Sequence, residues 1–317
     1  MDKNDDKLFF SYICGKLLGD GTLSIKKNAR LQFRHTIKDK EYAIDQLKLF
    51  SQFLSFGSSN PYEYSYIDNR TSKKYTTIIC QSHTDSRLTK LRNLWYNDKG
   101  TKIIPKAFVK EYLNESALSI WYQDDGSLKN SGRLILSTES FKDNEIDFLR
   151  RVLLEKFKIE SNMDSQRRID ISSRIDVELF LIYVEPYLSN VMKRKFLQNQ
   201  FQIIDLEIKK FLEEGRSNQL LKRTTIYVPR EIKHRFQKYQ SPSEMINTLL
   251  KIEEELKRVH DSSFRKSRIL AIKTNAIFEL ERVPYTIYLT EFNHKGLKLL
   301  KKLTGIELSD YITLFLT

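Results

Sequence analysis

The chain reads L-S-I-W-Y-Q-D-D-G from Leu118 to Gly126, and I-C-G-K-L-L-G-D-G from Ile13 to Gly21. Each run is apolar and helix-like, and each ends in Asp-Gly. Glycine commonly ends a helix because it adopts the left-handed conformation at little cost. An aspartate there is unfavourable by about 0.3–1 kcal/mol, because a helix C-terminus carries about half a negative charge. Two such residues, Asp20 and Asp125, therefore indicate a functional pair.

A divalent cation held between these two carboxylates would offset the repulsion. Hard oxygen ligands suit Mg²⁺, which commonly binds one or two carboxylates together with substrate phosphates. The separation of the runs predicts a duplicated unit whose two helices pack side by side. Small residues would let the backbones approach and bring Asp20 and Asp125 together. These residues are Cys14, Gly15, Gly19 and Ser119.

The two runs and their surroundings resemble the paired LAGLIDADG motifs of single-chain homing endonucleases. The agreement extends to K-I-I-P at residues 102–105 and L-S-T-E-S-F at residues 136–141. It continues with E-P-Y-L at residues 185–188, followed by Met192 and Lys195. Asp-Gly alone is a weak signal, but here the full pattern occurs twice and in order. The resemblance covers about residues 8–200.

The resemblance implies an α+β fold with two pseudo-symmetric αββαββα half-domains, residues 1–110 and 111–200. It implies a monomeric endonuclease that hydrolyses both strands of double-stranded DNA at a specific site. It also implies two or more Mg²⁺ ions, for which Mn²⁺ can substitute. The implied catalytic residues are Asp20, Asp125, Lys102 and Lys195. The implied metal ligands are the carboxylates of Asp20 and Asp125 and the backbone carbonyls of Gly19 and Asp124.

The second motif departs from the first at two positions. Ile120 and Asp124 stand where the first motif has Gly15 and Gly19. Adjacent residues on a helix point about 100° apart, so only one of the two neighbouring acids is expected to face the metal. The motif assigns that role to Asp125, and the side chain of Asp124 is expected to be satisfied by a neighbouring donor.

Composition points separately to a polyanionic partner. The 317-residue chain carries a net charge of +13, as nucleic-acid-binding proteins often do, although charge alone also fits a basic protein without that role. The two cysteines form neither a disulfide framework nor a zinc-ligand pattern. The polar N-terminus and the lack of an apolar run near the roughly 20 residues of a membrane span predict an intracellular protein. A prokaryotic or phage source would place it in the cytoplasm with the nucleoid.

The segment Arg30–Arg34 alternates long polar and apolar side chains, which is typical of a half-buried strand. If that strand lies on DNA, Arg30 and Arg34 are suited to guanine and Gln32 to adenine. The segment 168–172 repeats the alternation and adds Arg168 as a DNA-contact candidate. The alternative for both segments is a solvated sheet face.

A different module follows a connector at residues 201–222. The strand-like runs T-I-Y-V at 225–228 and T-I-Y-L at 286–289 are each followed by two helical stretches. This order, present twice in residues 223–317, resembles a tandem ribbon-helix-helix DNA-binding unit. We refer to residues 223–317 as the tail.

Pairing of the two tail strands within one chain would create one buried face and one face presented to a major groove. The buried face would consist of Ile226, Val228, Ile287 and Leu289. The presented face would consist of Thr225, Tyr227, Thr286 and Tyr288. The alternative is that the tail helices only brace the rest of the protein. In the first interpretation, a chain shortened to about residue 215 is expected still to cut DNA.

Two other functions remain open at this point. A non-cleaving RNA maturase, or a DNA-binding transcriptional regulator, could be built on the same scaffold. The presence of both Asp20 and Asp125 argues against these alternatives, because a binding protein gains nothing from two repelling carboxylates. A paired strand-helix-helix tail argues partly for the regulator.

Overall fold

The computed structural model describes residues 3–58, 60–67, 70, 72–196, 198–214 and 220–317. Its contacts divide the chain into two compact units. The first contains the residues up to Phe157 together with Ser161–Ile171 and Tyr183–Phe196. The second contains Lys158–Glu160, Ser172–Ile182 and the chain beyond Phe196. None of the described helices is long and apolar enough to cross a membrane.

The first repeat forms a four-stranded antiparallel sheet with strand order β1-β2-β4-β3. Its elements are α1 (Lys3–Leu18), β1 (Thr22–Ile25), β2 (Ala29–Thr36), α2 (Lys40–Ser51), β3 (Tyr62–Ile67), β4 (Lys74–Gln81) and α3 (Ser86–Trp95). The alternation along β2 buries Leu31 and Phe33 against this repeat's core. The predicted order of helices and strands is confirmed here.

The second repeat has the same strand order, β5-β6-β8-β7. Its elements are α4 (Lys106–Tyr112), α5 (Glu115–Asp125), β5 (Gly126–Leu128), β6 (Leu134–Leu136), α6 (Asp143–Phe157), β7 (Asn162–Met163), β8 (Ile169–Ile171) and α7 (Arg174–Val184). The duplicated αββαββα pattern is therefore confirmed, with α4 as an extra short helix before the second motif.

Strand β7 of the second repeat is short and contains only Asn162 and Met163. Lys158 has a left-handed backbone (φ 59°), and the Glu160 amide donates to the Asp176 carboxylate at 2.9 Å. An amide engaged by a side chain is withdrawn from a sheet ladder, so β7 does not begin before Asn162.

Helices α1 and α5 pack with their backbones in direct contact, as predicted. A Cβ atom on Gly15 would lie 2.2 Å from the Ala117 carbonyl oxygen, and one on Gly19 would lie 2.5 Å from the Asp124 Cβ. Glycine is therefore required at both positions for this approach. Ser119 is fully buried, and its hydroxyl donates to the Val184 carbonyl at 3.0 Å.

The second unit contains two long strands, the first followed by four α-helices and the second by two. Its elements are α8 (Gln198–Glu214), β9 (Leu221–Pro229), α9 (Arg230–Phe236), α10 (Pro242–Leu249), α11 (Ile252–Arg258), α12 (Ser262–Thr274), β10 (Arg282–Thr290), α13 (Glu291–Thr304) and α14 (Leu308–Leu316). The predicted connector at residues 201–222 corresponds to most of α8 and the start of β9, and its residues 215–219 lie outside the described residues.

Strands β9 and β10 pair antiparallel, which confirms the predicted pairing within one chain. Thr225 lies opposite Thr286, and these residues occupy the same position in the two T-I-Y runs. The ribbon is therefore pseudo-symmetric about this pair. Its buried face contains the four predicted apolar residues, each fully buried: Ile226, Val228, Ile287 and Leu289. Tyr227 and Tyr288 are 55% and 46% exposed, as predicted for the opposite face.

The two strand-helix-helix copies interlock. The Tyr227 amide of β9 donates to the Ser309 hydroxyl in α14 at 3.0 Å. The Tyr288 amide of β10 donates to the Ser243 hydroxyl in α10 at 3.1 Å. Each strand is thus held by the second helix of the other copy, so neither copy is complete without its counterpart.

The second unit also includes part of the second repeat, which differs from the predicted boundary at residue 223. Residues Ser172–Ile182 of α7 belong to this unit. Glu178 accepts a hydrogen bond from Arg265 of α12 at 2.7 Å, and Asp176 lies 2.8 Å from the Lys273 ammonium. Both carboxylates are only 2% exposed, so the contact is part of this unit's interior.

Candidate active site

Asp20 lies two residues beyond the end of α1, where Gly21 closes the helix by donating to the Lys16 carbonyl at 2.7 Å. Its carboxylate is 38% exposed and lies 3.3 Å from Nδ1 of His35 on β2. Burial alone would raise the pKa of Asp20, but the hydrogen bond from His35 and the positive charge of Lys16 lower it below its usual value. Asp20 is therefore held ionised at the surface of the first repeat.

Asp124 is satisfied by neighbouring donors, as the sequence predicted. Its carboxylate accepts hydrogen bonds from the Lys16 ammonium and the Tyr42 hydroxyl, both at 2.8 Å. It also accepts one from the Asp20 amide at 3.2 Å. The side chains of Asp124 and Lys16 are both 0% exposed, so their ion pair joins the ends of α1 and α5 inside the protein.

Asp125 is the last residue of α5. Burial and the negative charges of Asp20 and Asp124 raise the pKa of Asp125 to about 7, although Lys102 and Lys195 oppose this shift. The three carboxylates are thus close enough to repel one another. Within the described part of the chain, Asp20, His35 and Asp124 also present ligand atoms within 4.8 Å of one another. This group combines two carboxylates with an imidazole nitrogen, and the Asp124 carboxylate in it is fully buried against Lys16. The partly exposed Asp20 carboxylate therefore offers the oxygen ligand that a hard divalent cation prefers.

Lys102 and Lys195 occupy equivalent places in the two repeats. Lys102 Nζ donates to the carbonyls of Leu17, Gly19 and Gly21 at 2.8–3.3 Å. Lys195 Nζ donates to those of Tyr122, Gln123, Asp124 and Gly126 at 2.6–3.4 Å. Each ammonium therefore caps the motif helix of its own repeat and offsets the negative helix end.

Burial shifts the pKa of both ammonium groups. Burial lowers the pKa of Lys102 to about 8, against the opposing effect of the three aspartates. Burial likewise lowers the pKa of Lys195, with Asp124 opposing the shift. The carbonyls of Gly19 and Asp124, which the resemblance implies as metal ligands, are among the acceptors of these lysines. Their metal-binding role stays a prediction.

Lys16, His35 and Tyr42 also belong to this site, although they are not among the residues predicted from the sequence. Lys16 interrupts an apolar helical run, and a buried lysine requires a charged partner. His35 falls on the inward phase of β2, where it is 8% exposed. A lysine within an apolar helix and a histidine on the buried side of a strand are both noticeable in a sequence. The partner Asp124, however, lies 108 residues from Lys16, so the pair is identified only by the packing of α1 on α5.

The DNA-contact candidates of the first sheet lie on one exposed face. Arg34 is exposed, whereas Arg30 and Gln32 are partly exposed, and all three alternate with buried residues along β2. Arg168 differs from the prediction because it precedes β8. Its guanidinium donates to the Asp164 carboxylate at 2.7 and 2.9 Å, which holds it in the turn between β7 and β8.

Comparison with known proteins agrees with this arrangement. A profile of the LAGLIDADG DNA endonuclease family matches residues 10–185. The probable intron-encoded endonuclease 1 of Wickerhamomyces canadensis is 28% identical over 59% of this chain and 83% of its own length. The cytochrome b mRNA maturase bI2 of Debaryomyces hansenii is 26% identical over 60% of this chain and 74% of its own length.

The solved structure of the homing endonuclease I-WcaI bound to its DNA recognition sequence has the same fold. It superposes with a TM-score of 0.53 and 26% sequence identity, covering 60% of this chain and 86% of that protein. The family profile spans both motif helices, both sheets and all three aspartates of the site. The chain therefore belongs to the LAGLIDADG DNA endonuclease family.

Proposed function

We propose that this protein is a homing endonuclease that hydrolyses both strands of a specific DNA duplex with the help of Mg²⁺. The observation that carries the proposal is the convergence of Asp20 and Asp125 at two packed helix ends, each capped by a lysine of its own repeat. Both motifs lie in one chain, so a monomer would supply the two half-sites. Acting on duplex DNA would place the protein inside the cell.

The residues present suit a divalent metal. Burial, together with the negative charges of Asp20 and Asp124, raises the pKa of Asp125 to about 7, and a divalent cation would offset both effects. Asp20 and Asp125 would hold the metal through carboxylate oxygens, the ligands that Mg²⁺ and Mn²⁺ prefer. A bound Mg²⁺ would stabilise charge on the phosphate and lower the pKa of the attacking water.

The hydrogen bonds of Lys102 and Lys195 indicate how these two lysines support the site. The ammonium of Lys102 has three N–H donors, and three carbonyls at the end of α1 accept from it. This use of its donors favours a positioning role over direct contact with the phosphate. We propose that Lys102 and Lys195 hold the helix ends in the geometry that Asp20 and Asp125 require.

The exposed face of the first sheet is proposed to contact the target DNA. Arg34→Ala is expected to weaken binding by about 1–3 kcal/mol and to relax the preference at one base pair, because arginine binds guanine bidentately. The affinities of this variant for the cleavage site selected from a randomised duplex library, and for single-base variants of that site, would measure both effects. A uniform loss across all sequences, with a smaller salt slope, would instead identify Arg34 as a phosphate contact.

The tail is proposed to add a second DNA contact through the exposed face of its ribbon. Tyr227→Ala and Tyr288→Ala are each expected to leave the fold intact, since both rings are exposed, and to weaken binding by about 1–3 kcal/mol. Tyr239→Ala is the matched control, because Tyr239 is 52% exposed in the same unit and lies outside the ribbon. If all three variants bound DNA equally well, the result would indicate that the tail only braces the rest of the protein.

Cleavage of a randomised duplex library tests the main proposal. The chain is incubated with the library and Mg²⁺, Mn²⁺ or a chelator, and the cut ends are sequenced. One consensus site, cut on both strands only with a divalent metal, is the expected result. Failure to cut any duplex with either metal, or full cutting with chelator, would refute it.

The maturase alternative rests on one observation, the similarity to the cytochrome b mRNA maturase bI2 of Debaryomyces hansenii. A maturase would bind a structured intron RNA more tightly than any duplex DNA and would promote its splicing. Competition between a folded intron transcript and the selected duplex separates the two functions. Displacement of the duplex by the transcript, without cleavage, would favour the maturase.

A further inference from the structure

The outer end of the first sheet carries an unusual set of exposed aromatic side chains. Every residue of β3 is exposed. Four tyrosines, 41–52% exposed, lie on β3 and on the facing end of β4: Tyr62, Tyr64, Tyr66 and Tyr75. We call these four residues the tyrosine ladder. The rings of Tyr64 and Tyr66 stack at 6.1 Å, and those of Tyr66 and Tyr75 lie 5.9 Å apart.

The strand register places the ladder on the same face as the DNA-contact candidates of β2. Arg34 pairs with Ile79 of β4, and Ile79 pairs in turn with Tyr62. Thr36 connects to Tyr64 in the same way through Thr77. Paired residues in adjacent strands point to the same side of a sheet, so the ladder extends the face of Arg30, Gln32 and Arg34 outward.

Core packing does not account for the ladder. The tyrosines contact one another and the sheet, yet about half of each side chain stays in water. On the opposite face of β3, Glu63 and Ser65 have polar side chains that pair with polar neighbours, as expected for a solvated strand. Ser65 bonds to Thr76 at 2.8 Å and Glu63 pairs with Lys40 at 2.8 Å. An aromatic row confined to one face therefore indicates a surface that is covered by a ligand.

We infer that the tyrosine ladder contacts the C5-methyl groups of thymines in the major groove of an A·T-rich segment at the outer edge of the target site. This inference rests on the proposed DNA-cleaving function and specifies which bases one part of the site accepts. Aromatic rings offer apolar contact, which among the bases of the major groove suits the thymine methyl group. Arginine and glutamine, which suit purines, occupy the inner part of the same face.

The spacing of the tyrosines and the charge of the hairpin tip both agree with a DNA duplex as the ligand that covers this surface. Residues on one face of a strand repeat every two residues, about 6.7 Å, which matches two base pairs at about 3.4 Å each. The tyrosines of β3 would therefore follow about four base pairs. The hairpin tip beyond them carries the exposed Lys73, where a DNA backbone would need positive charge. A second copy of this chain, with its net charge of +13, would be repelled by that tip.

Replacement of thymine by uracil in the selected target tests the inference, because it removes only the methyl group. The relevant segment is the one protected from chemical footprinting by the wild type and not by the Tyr64→Ala/Tyr66→Ala variant. Single uracils in that segment are expected to weaken wild-type binding about fourfold at one or more positions, the contribution of one buried methyl group. In the tyrosine variant the same uracils should have no effect.

Ser65→Ala is the matched control, since Ser65 lies between the two tyrosines on the opposite face, and it should respond to uracil as the wild type does. Uracil without effect on the wild type, or with equal effect on the tyrosine variant, would overturn the inference. A Tyr64→Ala/Tyr66→Ala variant that binds its DNA site normally but loses self-association would also overturn the inference. A chain that cuts its site but ignores uracil refutes only this inference, whereas one that binds and cuts no duplex refutes the proposed function.

Discussion

Asp20→Asn and Asp125→Asn are each expected to abolish double-strand cleavage while DNA binding stays largely intact. Each substitution removes the charge of one proposed metal ligand. The stabilisation that a metal supplies to such a reaction amounts to several kcal/mol, so the rate should fall about a thousandfold or more. Conversion of a supercoiled plasmid carrying the selected site to nicked and linear forms would measure the loss on each strand.

Neither substitution should unfold the protein. Asparagine has nearly the shape of aspartate, and Asp125→Asn removes one of three crowded negative charges. Thermal unfolding of both variants should therefore resemble that of the wild type. Linear product at the wild-type rate from either variant would show that the active-site assignment is wrong.

Asp124→Asn provides the contrast, because Asp124 is buried with Lys16 rather than facing the site. Loss of its charge leaves the fully buried ammonium of Lys16 without an ionised partner, which commonly costs about 3–5 kcal/mol of stability. This variant should therefore unfold earlier and yet cleave DNA at temperatures where it remains folded. A stable variant without activity would assign Asp124, and not Asp125, to the metal.

The motif helices and the pairing of the two aspartates could be predicted from the sequence because their signal is local, whereas Lys102 and Lys195 follow only from the family resemblance. Glycines at fixed positions predict close helix contact, and the geometry at Gly15 agrees. The cluster around Asp124 could not be predicted, because it joins residues 16, 42 and 124 only after α1 packs on α5. Arg168 shows a different limit, since the alternating pattern of residues 168–172 extends one residue beyond each end of β8, and its contact with DNA stays a prediction.

The tail illustrates the same limit. Its ribbon was predictable because each T-I-Y run carries its own pattern of burial, and the paired register follows from the repeat itself. The attachment of the tail to α7 was not predictable, since Glu178 and Arg265 are 87 residues apart. Charged residues at such separations give no periodic signal, and their pairing depends on tertiary packing alone.

Arg265→Ala is expected to lower the free energy of unfolding of the second unit by about 3–5 kcal/mol, the usual effect of removing one partner of a buried ion pair. The substitution leaves Glu178, 2% exposed, without its arginine. It also leaves the carbonyls of Val259 and His260 without the same donor. Denaturant unfolding monitored in the full chain would measure the change.

Lys257→Ala is the matched control, because Lys257 pairs with Glu253 at the surface of the same unit, where both side chains are exposed. An exposed pair of this kind is worth about 0–1 kcal/mol. The double substitution Glu178→Leu and Arg265→Met should recover most of the stability, since apolar residues of similar volume often replace a buried pair without loss. An Arg265→Ala variant no less stable than Lys257→Ala would refute the structural role of the pair.

This ion pair changes what removal of the tail is expected to do. A chain ending near residue 215 was predicted from the sequence to cut DNA, but it would lack both Arg265 and Lys273, the partners of Glu178 and Asp176 in α7. Helix α7 is the last helix of the second repeat and leads directly into the segment that carries Lys195. Because Lys195 caps the helix that ends at Asp125, loss of order in α7 would reach the active site. The shortened chain is therefore expected to lose both DNA cleavage and the cooperative unfolding of its second repeat. Tyr227→Ala and Tyr288→Ala leave α7 in place, so these variants should bind DNA more weakly and still cleave it at saturating protein.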